Sequence, residues 1–252
     1  MAVRLLLLLG AWMALVGASG PVLVPDISSR NVEIRTSFTG EELLLFGAII
    51  YEGGLPDAPA EVAVVLRGPS EPILLREKQK VAGIWVNADS HRFRSVPGFY
   101  ALASSAPIDR LIDARTAAIY EIGVDNLQLS PGPGAAAEKE QRMEAGLIDR
   151  MEQRGLYAET PTGVEITDNV LYRARISIPS RVPVGVYRAE TFLISEGRVL
   201  AVATREISIG KSGFERFVAL AAERHGFLYG IAAILVSLFL GWAAAAIFRK
   251  RV

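Results

Sequence analysis

The sequence predicts a mainly β protein: an immunoglobulin-like or fibronectin-like β-sandwich ectodomain with a helical insertion, followed by one C-terminal transmembrane helix. Three observations support this prediction. Short segments of alternating polar and apolar residues recur between Gly and Pro residues on both sides of the chain's centre. The centre itself has helical spacing. Residues 227–248 form an uncharged apolar stretch close to the C-terminus.

Residues 1–20 have the pattern of a secretory signal peptide. Arg4 precedes the apolar run LLLLLGAWMALV at 5–16, and small residues follow at 17–20. The alternative is an uncleaved signal anchor, but a helical span needs about 20 apolar residues and this run is shorter. In both alternatives, residues 21–210 form an ectodomain on the same side of the membrane.

Strands are predicted from residue 31 onward. NVEIRTSF alternates at 31–38, ELLLFGAIIY at 42–51 is more continuously apolar, and the two are expected to form a hairpin. EVAVVLR at 61–67 is a third strand that ends at Gly68 and Pro69. Further short strands are expected at 72–76, 83–87, 92–94 and 99–103.

A helical insertion is predicted at about 107–157. PIDRLIDAR at 107–115 and AAAEKEQRMEAGLIDRMEQR at 135–154 have apolar residues at helical spacing. Met143, Leu147 and Met151 are each four residues apart, so they share one helix face. We expect this face to pack against the sheet rather than to bind a cofactor.

Strands return after Gly155, at 164–167, 169–178, 185–195 and 198–209. Glu196 and Gly197 separate the last two and predict a two-residue hairpin turn in which the glycine has positive φ. Three consecutive antiparallel strands at this position resemble the closing strands of an immunoglobulin-like domain.

The C-terminal region predicts how the protein is anchored. Residues 211–226 have one apolar face, as in an amphipathic juxtamembrane helix, and residues 227–248 are long enough to span a bilayer. The tail at 249–252 begins with Arg249, Lys250 and Arg251, which places it in the cytoplasm. Small residues that could pack against another span are Gly230, Gly241 and Ala245.

The composition excludes several kinds of chemistry. The chain has no cysteine, so disulfides and thiolate sites are absent. Outside the four cations at the two ends, acidic residues outnumber basic ones 27 to 23, which argues against nucleic acid as a partner. His91 and His225 are the only histidines, and neither a zinc-binding spacing nor a nucleophile elbow is present. We therefore expect no catalytic residues, no metal and no cofactor, and predict His91 in a loop.

One stretch combines cations with aromatic residues. Arg76, Lys78 and Lys80 precede Trp85, and Phe99 with Tyr100 follow in PGFYALASS. Such a set could form an interaction surface for an anionic or sugar ligand. The alternative is that the aromatic residues belong to the sandwich core while the cations are solvated at its edge.

Several segments also resemble a known family. These are SFTGEELLLFGA, EVAVVLRGP, REKQKVAGIWVN, PGFYALASS and IPSRVPVGVYRAETFLISEGRVL, between Ser37 and Leu200. In this order they resemble the putative transmembrane protein family of alphaproteobacteria, whose members have a single C-terminal span. The resemblance implies a single-pass envelope protein and supplies no catalytic residues. REKQK is less basic than the family pattern, which weakens an anion-binding role.

These observations predict a single-pass protein of the bacterial inner membrane with its ectodomain in the periplasm. We expect a non-enzymatic accessory or assembly subunit of a membrane complex such as a transporter, in contact with the lipid bilayer and a membrane-protein partner. The alternative is a membrane-tethered periplasmic module that binds an anion or a glycan.

Overall fold

The computed structural model describes residues 20–34, 40–51, 54, 59–132, 136–211, 218 and 221–249. Residues 1–19 of the predicted signal peptide lie outside the described residues. The same is true of most of the predicted juxtamembrane helix, of which residues 218 and 221–224 are helical. The chain forms two compact units, one with nearly all the strands and one with the C-terminal helix.

The protein is mainly β, as the sequence predicts. Its strands are β1 (Val22–Ile27), β2 (Asn31–Ile34), β3 (Gly40–Ile50), β4 (Glu61–Arg67), β5 (Ser70–Val81), β6 (Ile84–Pro97), β7 (Tyr100–Ser104), β8 (Ser130–Pro131), β9 (Tyr157–Thr160), β10 (Val164–Thr167), β11 (Leu171–Pro179), β12 (Gly185–Ser195) and β13 (Arg198–Lys211). Sheet A has the strand order β1-β3-β11-β10 and sheet B the order β2-β13-β12-β4-β7-β9. Sheet C has the order β5-β6-β8.

Sheets A and B pack face to face as a sandwich. Strands of the two sheets are in contact, and Tyr172 Oη on β11 lies 3.5 Å from Thr191 Oγ1 on β12. Strand β11 alternates strictly between exposed and buried residues, because alternate side chains point to opposite faces of a sheet. The core between the sheets includes Leu43, Ile49, Ile178 and Leu193.

Strands β4 and β7 are buried on both faces because helices cover this part of the outer face of sheet B. These helices are α1 (Ile108–Leu111), α2 (Ala114–Tyr120) and a 3-10 helix (Val124–Asn126). Asp113 caps α2 by accepting a hydrogen bond of 2.7 Å from the Thr116 amide. Arg67 on β4 fixes the end of α2 through an ion pair of 2.8 Å with Glu121.

The strand order of sheets A and B can be compared with that of immunoglobulin-type sandwiches. With β1, β3, β11 and β10 as strands A, B, E and D, sheet A has the order ABED, and β13, β12 and β4 correspond to G, F and C. Tyr187, near the start of β12, donates a hydrogen bond of 2.6 Å to the Pro183 carbonyl, as in a tyrosine corner. One departure is the parallel pairing of β9 with β7. The immunoglobulin-like assignment stays a prediction.

The predicted hairpin between 31–38 and 42–51 is wrong. Strand β3 pairs with β1 and β11 in sheet A, whereas β2 lies beside β13 in sheet B. The two strands are consecutive in sequence but belong to opposite sheets. In contrast, the two-residue turn at Glu196 and Gly197 is confirmed, since both have positive φ and Ser195 pairs with Arg198.

Residues 70–97 form one long hairpin rather than the separate short strands predicted. β5 and β6 pair along their length and turn at Ala82 and Gly83, which both have positive φ. Helix α3 (Ala137–Gln153) contacts β5 and β9, and Met143, Leu147 and Met151 are buried as predicted.

Helix α4 (Gly226–Arg249) contains the predicted span. Its 24 residues extend about 36 Å at 1.5 Å per residue, which exceeds the thickness of a hydrocarbon core. Within the described part of the chain, it is the one helix that is long and apolar enough to cross a membrane.

Candidate functional site

The end of the β5–β6 hairpin brings together part of the predicted interaction surface. We call residues 78–87 the hairpin tip. Lys80 pairs directly with Trp85, and Lys78 pairs with Asn87, so both cations lie on the face of the hairpin that contains Trp85. Trp85 is 65% exposed and Ile84 is 68% exposed. The tip therefore presents large apolar side chains and two cations to solvent.

Helix α3 neutralises the two carboxylates that flank the hairpin tip. Arg142 lies 3.3 Å from Glu77, and Lys139 donates a hydrogen bond to Asp89. The Lys139 hydrogen bond, with the charges of Lys139 and Arg142, lowers the pKa of Asp89. No acidic residue occurs between Lys78 and Asn87, so the tip has a positive charge of its own.

Phe99 and Tyr100 do not belong to this surface. Both are 0% exposed, so the prediction that they form one interaction surface with Trp85 is wrong. Phe99 packs 5.8 Å from the Tyr187 ring. The Tyr100 hydroxyl accepts from the Gly123 amide and donates to the Glu121 carbonyl, and burial raises its pKa. The alternative that the aromatic residues are buried holds for Phe99 and Tyr100 and not for Trp85. Tyr100 is buried beneath residues 121–123 on the outer face of sheet B rather than between the two sheets.

Several other polar residues near the hairpin lie outside the hairpin tip. His91 lies in strand β6 rather than in the predicted loop, is buried, and packs edge-on at 4.9 Å from Phe93. Arg76, the third predicted cation, lies on β5 beside Met143 of α3. An open polar cleft of about 630 Å³ lies at the base of the hairpin and contains Arg67, Glu121 and Arg188. Within the described residues, no three metal-binding side chains cluster.

A second exposed surface was not predicted. The outer face of sheet A has an apolar patch, which we call the A-sheet patch, whose residues are 37–51% exposed: Val22, Val24, Phe46, Ile50 and Leu171. Val22 pairs with Ile50, and Val24 and Leu171 both pair with Ala48, so the patch is continuous across three strands. The signal in the sequence was β3 itself, which is apolar at both odd and even positions.

The predicted span-packing residues lie on α4. The positions of Gly230, Gly241 and Ala245 fall within about 60° around the helix at 3.6 residues per turn. A Cβ atom added to Gly230 or Gly241 would meet no atom within 4 Å. The stripe is therefore open along one side of the helix.

Together, the sandwich and the C-terminal apolar helix define a membrane-anchored β-sandwich protein. Residues 22–250 match the family described as "Putative transmembrane protein (Alph_Pro_TM)", so the chain belongs to this family. It is a transmembrane protein with one candidate span near its C-terminus, in contact with the lipid bilayer. No curated protein matches the chain.

Proposed function

We propose that this protein is a non-enzymatic accessory or assembly subunit of a membrane complex such as a transporter. In this proposal α4 anchors it in the bacterial inner membrane, the β-sandwich lies in the periplasm, and the A-sheet patch binds a membrane-protein partner. The patch is the observation that carries the proposal, because continuous exposed apolar surface costs solubility unless another molecule covers it.

The charges around the A-sheet patch favour a protein as the occupant. Arg175 lies 3.7 Å from Glu42 and 4.0 Å from Glu165 on the same face of sheet A, and Arg173 pairs with Phe46. This rim has both signs of charge. Anionic lipid would repel its carboxylates, whereas a protein surface can present complementary cations and anions.

The proposed orientation rests on the ends of the chain. Arg249, Lys250 and Arg251 directly follow the span, and positive charge near a span favours the cytoplasmic side. The signal-peptide pattern at 1–20 supports a periplasmic position for the segment between the two ends.

The fold supports a binding role by analogy. The ABED order of sheet A and the tyrosine corner at Tyr187 are features of immunoglobulin-type sandwiches. We infer that the sandwich is immunoglobulin-like. Because one fold hosts many functions, this likeness adds to the argument from the A-sheet patch and does not replace it.

The test is purification of the tagged full-length protein from its native membrane in mild detergent, with mass spectrometry of what accompanies it. We expect one stoichiometric membrane protein. The double variant Val24→Asp/Leu171→Lys places charges in the A-sheet patch and should lower the recovered partner more than about tenfold, since each buried unpaired charge costs several kcal/mol.

The matched control is Val186→Asp/Val202→Lys. These two valines are 56% and 46% exposed and lie on the outer face of sheet B, so the changes are chemically equivalent. The control should keep the partner. Retention by the patch variant, or equal loss in both variants, contradicts the proposal, and recovery of a second copy of the chain alone would make the patch a dimer interface.

A second candidate function is the membrane-tethered module that binds an anion or a glycan. The cleft at the hairpin base favours it, because Arg67 and Arg188 both line that cleft. Arg67 is already paired with Glu121 and lies 3.7 Å from Glu190. Arg188 pairs across the strands with Glu206, which also lines the cleft, so an anion would compete with carboxylates at both arginines. Purification of the chain without any partner would favour this candidate.

A further inference from the structure

We propose that the hairpin tip inserts into the headgroup region of the bilayer that the chain's own span crosses, and so forms a second membrane anchor. The occupant is an anionic lipid surface. This proposal concerns a different surface from the A-sheet patch and does not depend on a protein partner.

The side chains at the tip are those that suit a membrane interface. Val81, Ile84 and Val86 supply aliphatic surface, and Trp85 is a residue whose amphipathic ring favours the headgroup level. Lys78 and Lys80 lie on the same face as Trp85 and carry the charge that anionic headgroups attract. A β-turn in water needs none of these apolar side chains.

The charge pattern changes along the hairpin. Glu77 and Asp89 form ion pairs with cations of α3. Between these two residues and the turn, the hairpin has no other carboxylate at positions 78–87. The four residues from Lys78 to Val81 extend about 13 Å beyond this level at about 3.3 Å per residue. That length is sufficient for the burial of 5–10 Å that is typical of interfacial segments.

The base of the hairpin lies at the end of the sandwich where β13 ends. The Gly98 amide donates to the Pro69 carbonyl at 2.9 Å, and a Cβ atom on Gly185 would lie 3.0 Å from Pro69. Gly185 in turn pairs with Ile209, the residue with which the sandwich unit ends before residues 210–225 lead to α4. The hairpin therefore leaves the sandwich at the end at which β13 finishes.

Beyond its base, the hairpin has its main contacts with β8 and α3 rather than with sandwich strands, within the described residues. Helix α3 begins at Ala137, and its Lys139 reaches only as far as Asp89. The tip thus extends past the last element that supports it. Exposed apolar side chains at an unsupported end indicate contact with another phase or molecule.

The experiment measures where Trp85 lies in the full-length protein reconstituted into vesicles. The chain has three tryptophans, and Trp12→Phe with Trp242→Phe leaves Trp85 as the single reporter. Vesicles contain phosphatidylcholine alone or with phosphatidylglycerol. We expect a blue shift of Trp85 emission and strong quenching by brominated phosphatidylcholine, both larger with phosphatidylglycerol, together with protection from aqueous acrylamide.

Two variants complete the test. Lys78→Ser/Lys80→Ser should lose the dependence on phosphatidylglycerol while the overall fold is unchanged, because both side chains are exposed. The positional control is Trp85→Ser with Arg198→Trp, which moves the reporter to the polar β12–β13 turn. This reporter should be quenched by acrylamide and not by the brominated lipid.

Three outcomes would overturn the proposal. Trp85 could be quenched by acrylamide and not by brominated lipid in both kinds of vesicle, which would place the tip in water. It could be protected from both quenchers, which would show that protein covers the tip. Equal lipid quenching of the reporters at 85 and 198 would show that lipid contact does not depend on the hairpin tip.

Discussion

Two hairpins of this chain have the same turn and opposite chemistry. β5–β6 turns at Ala82 and Gly83, β12–β13 turns at Glu196 and Gly197, and the four φ angles lie between 49° and 88°. Positive φ at both turn residues matches the twist of the flanking strands. Ser195 and Arg198 close one turn, whereas Val81 and Ile84 close the other.

The two turns have the same backbone conformation, so their difference in side-chain polarity concerns the surroundings of each turn and not its geometry. Because polar residues close the β12–β13 turn, apolar residues are not required at the hairpin tip to form this kind of turn. The strands differ in the opposite sense from the turns. Strand β12, beside the polar turn, has buried residues in the sandwich core, whereas β5, beside the apolar turn, has alternating exposed and half-buried residues. One hairpin stabilises the fold, and the other presents a surface.

The largest expected effect is on stability and uses one leucine from each hairpin. Leu193 on β12 is 0% exposed and Leu74 on β5 is 48% exposed. Leu193→Ala should lower the free energy of unfolding by about 2–5 kcal/mol because it leaves a cavity, whereas Leu74→Ala should change it by less than about 0.5 kcal/mol. Denaturant unfolding of the full-length protein in mild detergent measures both. Equal losses would mean that the β5–β6 hairpin is part of the same core.

A smaller effect should be equal in the two hairpins. A Cβ atom added to Gly83 or Gly197 would meet no atom within 4 Å, so only the positive φ opposes a side chain. Gly83→Ala and Gly197→Ala should each lower the free energy of unfolding by about 1–2 kcal/mol. The same unfolding experiment tests this, with Gly210→Ala, which has neither a close neighbour nor a strained φ, as the control. A clear inequality would show that the two turns are not equivalent.

The smallest effect is a pH dependence confined to the β5–β6 hairpin. The folded-state pKa of Asp89 is below the ordinary value of 3.8, so its contribution to stability is present above about pH 3.8 and is lost as pH falls through the folded pKa. The difference in Tm between the wild type and Asp89→Asn should therefore be larger near neutral pH than in acid.

The control for this pH dependence is Glu196→Gln in the other hairpin. Its ion pair with Arg198 at 3.5 Å is exposed to solvent, and such pairs contribute little to stability. We expect no difference in Tm from the wild type at either pH. A difference between wild type and Asp89→Asn that grows in acid would contradict the assignment of the Asp89 ion pairs.

The local features of the fold could be predicted from the sequence. The apolar stretch at 227–248 predicts the span, because length and the absence of charge are sufficient. The Glu196–Gly197 turn and the buried face of α3 also follow from residues close together in the chain. These features depend on periodicity and turn chemistry, which a short segment contains completely.

The pairing of distant segments could not be predicted from the sequence. The alternation of polar and apolar residues shows which face of a strand is buried, but it does not show which strand is its neighbour. The sequence therefore could not show that the consecutive strands β2 and β3 belong to opposite sheets. For the same reason Phe99 and Tyr100 could not be separated from Trp85. Phe99 packs against Tyr187 and Tyr100 is buried by residues 121–123, and both contacts involve residues distant in the chain. The span and the β-rich class therefore follow from local sequence patterns, whereas the two exposed surfaces result from long-range packing.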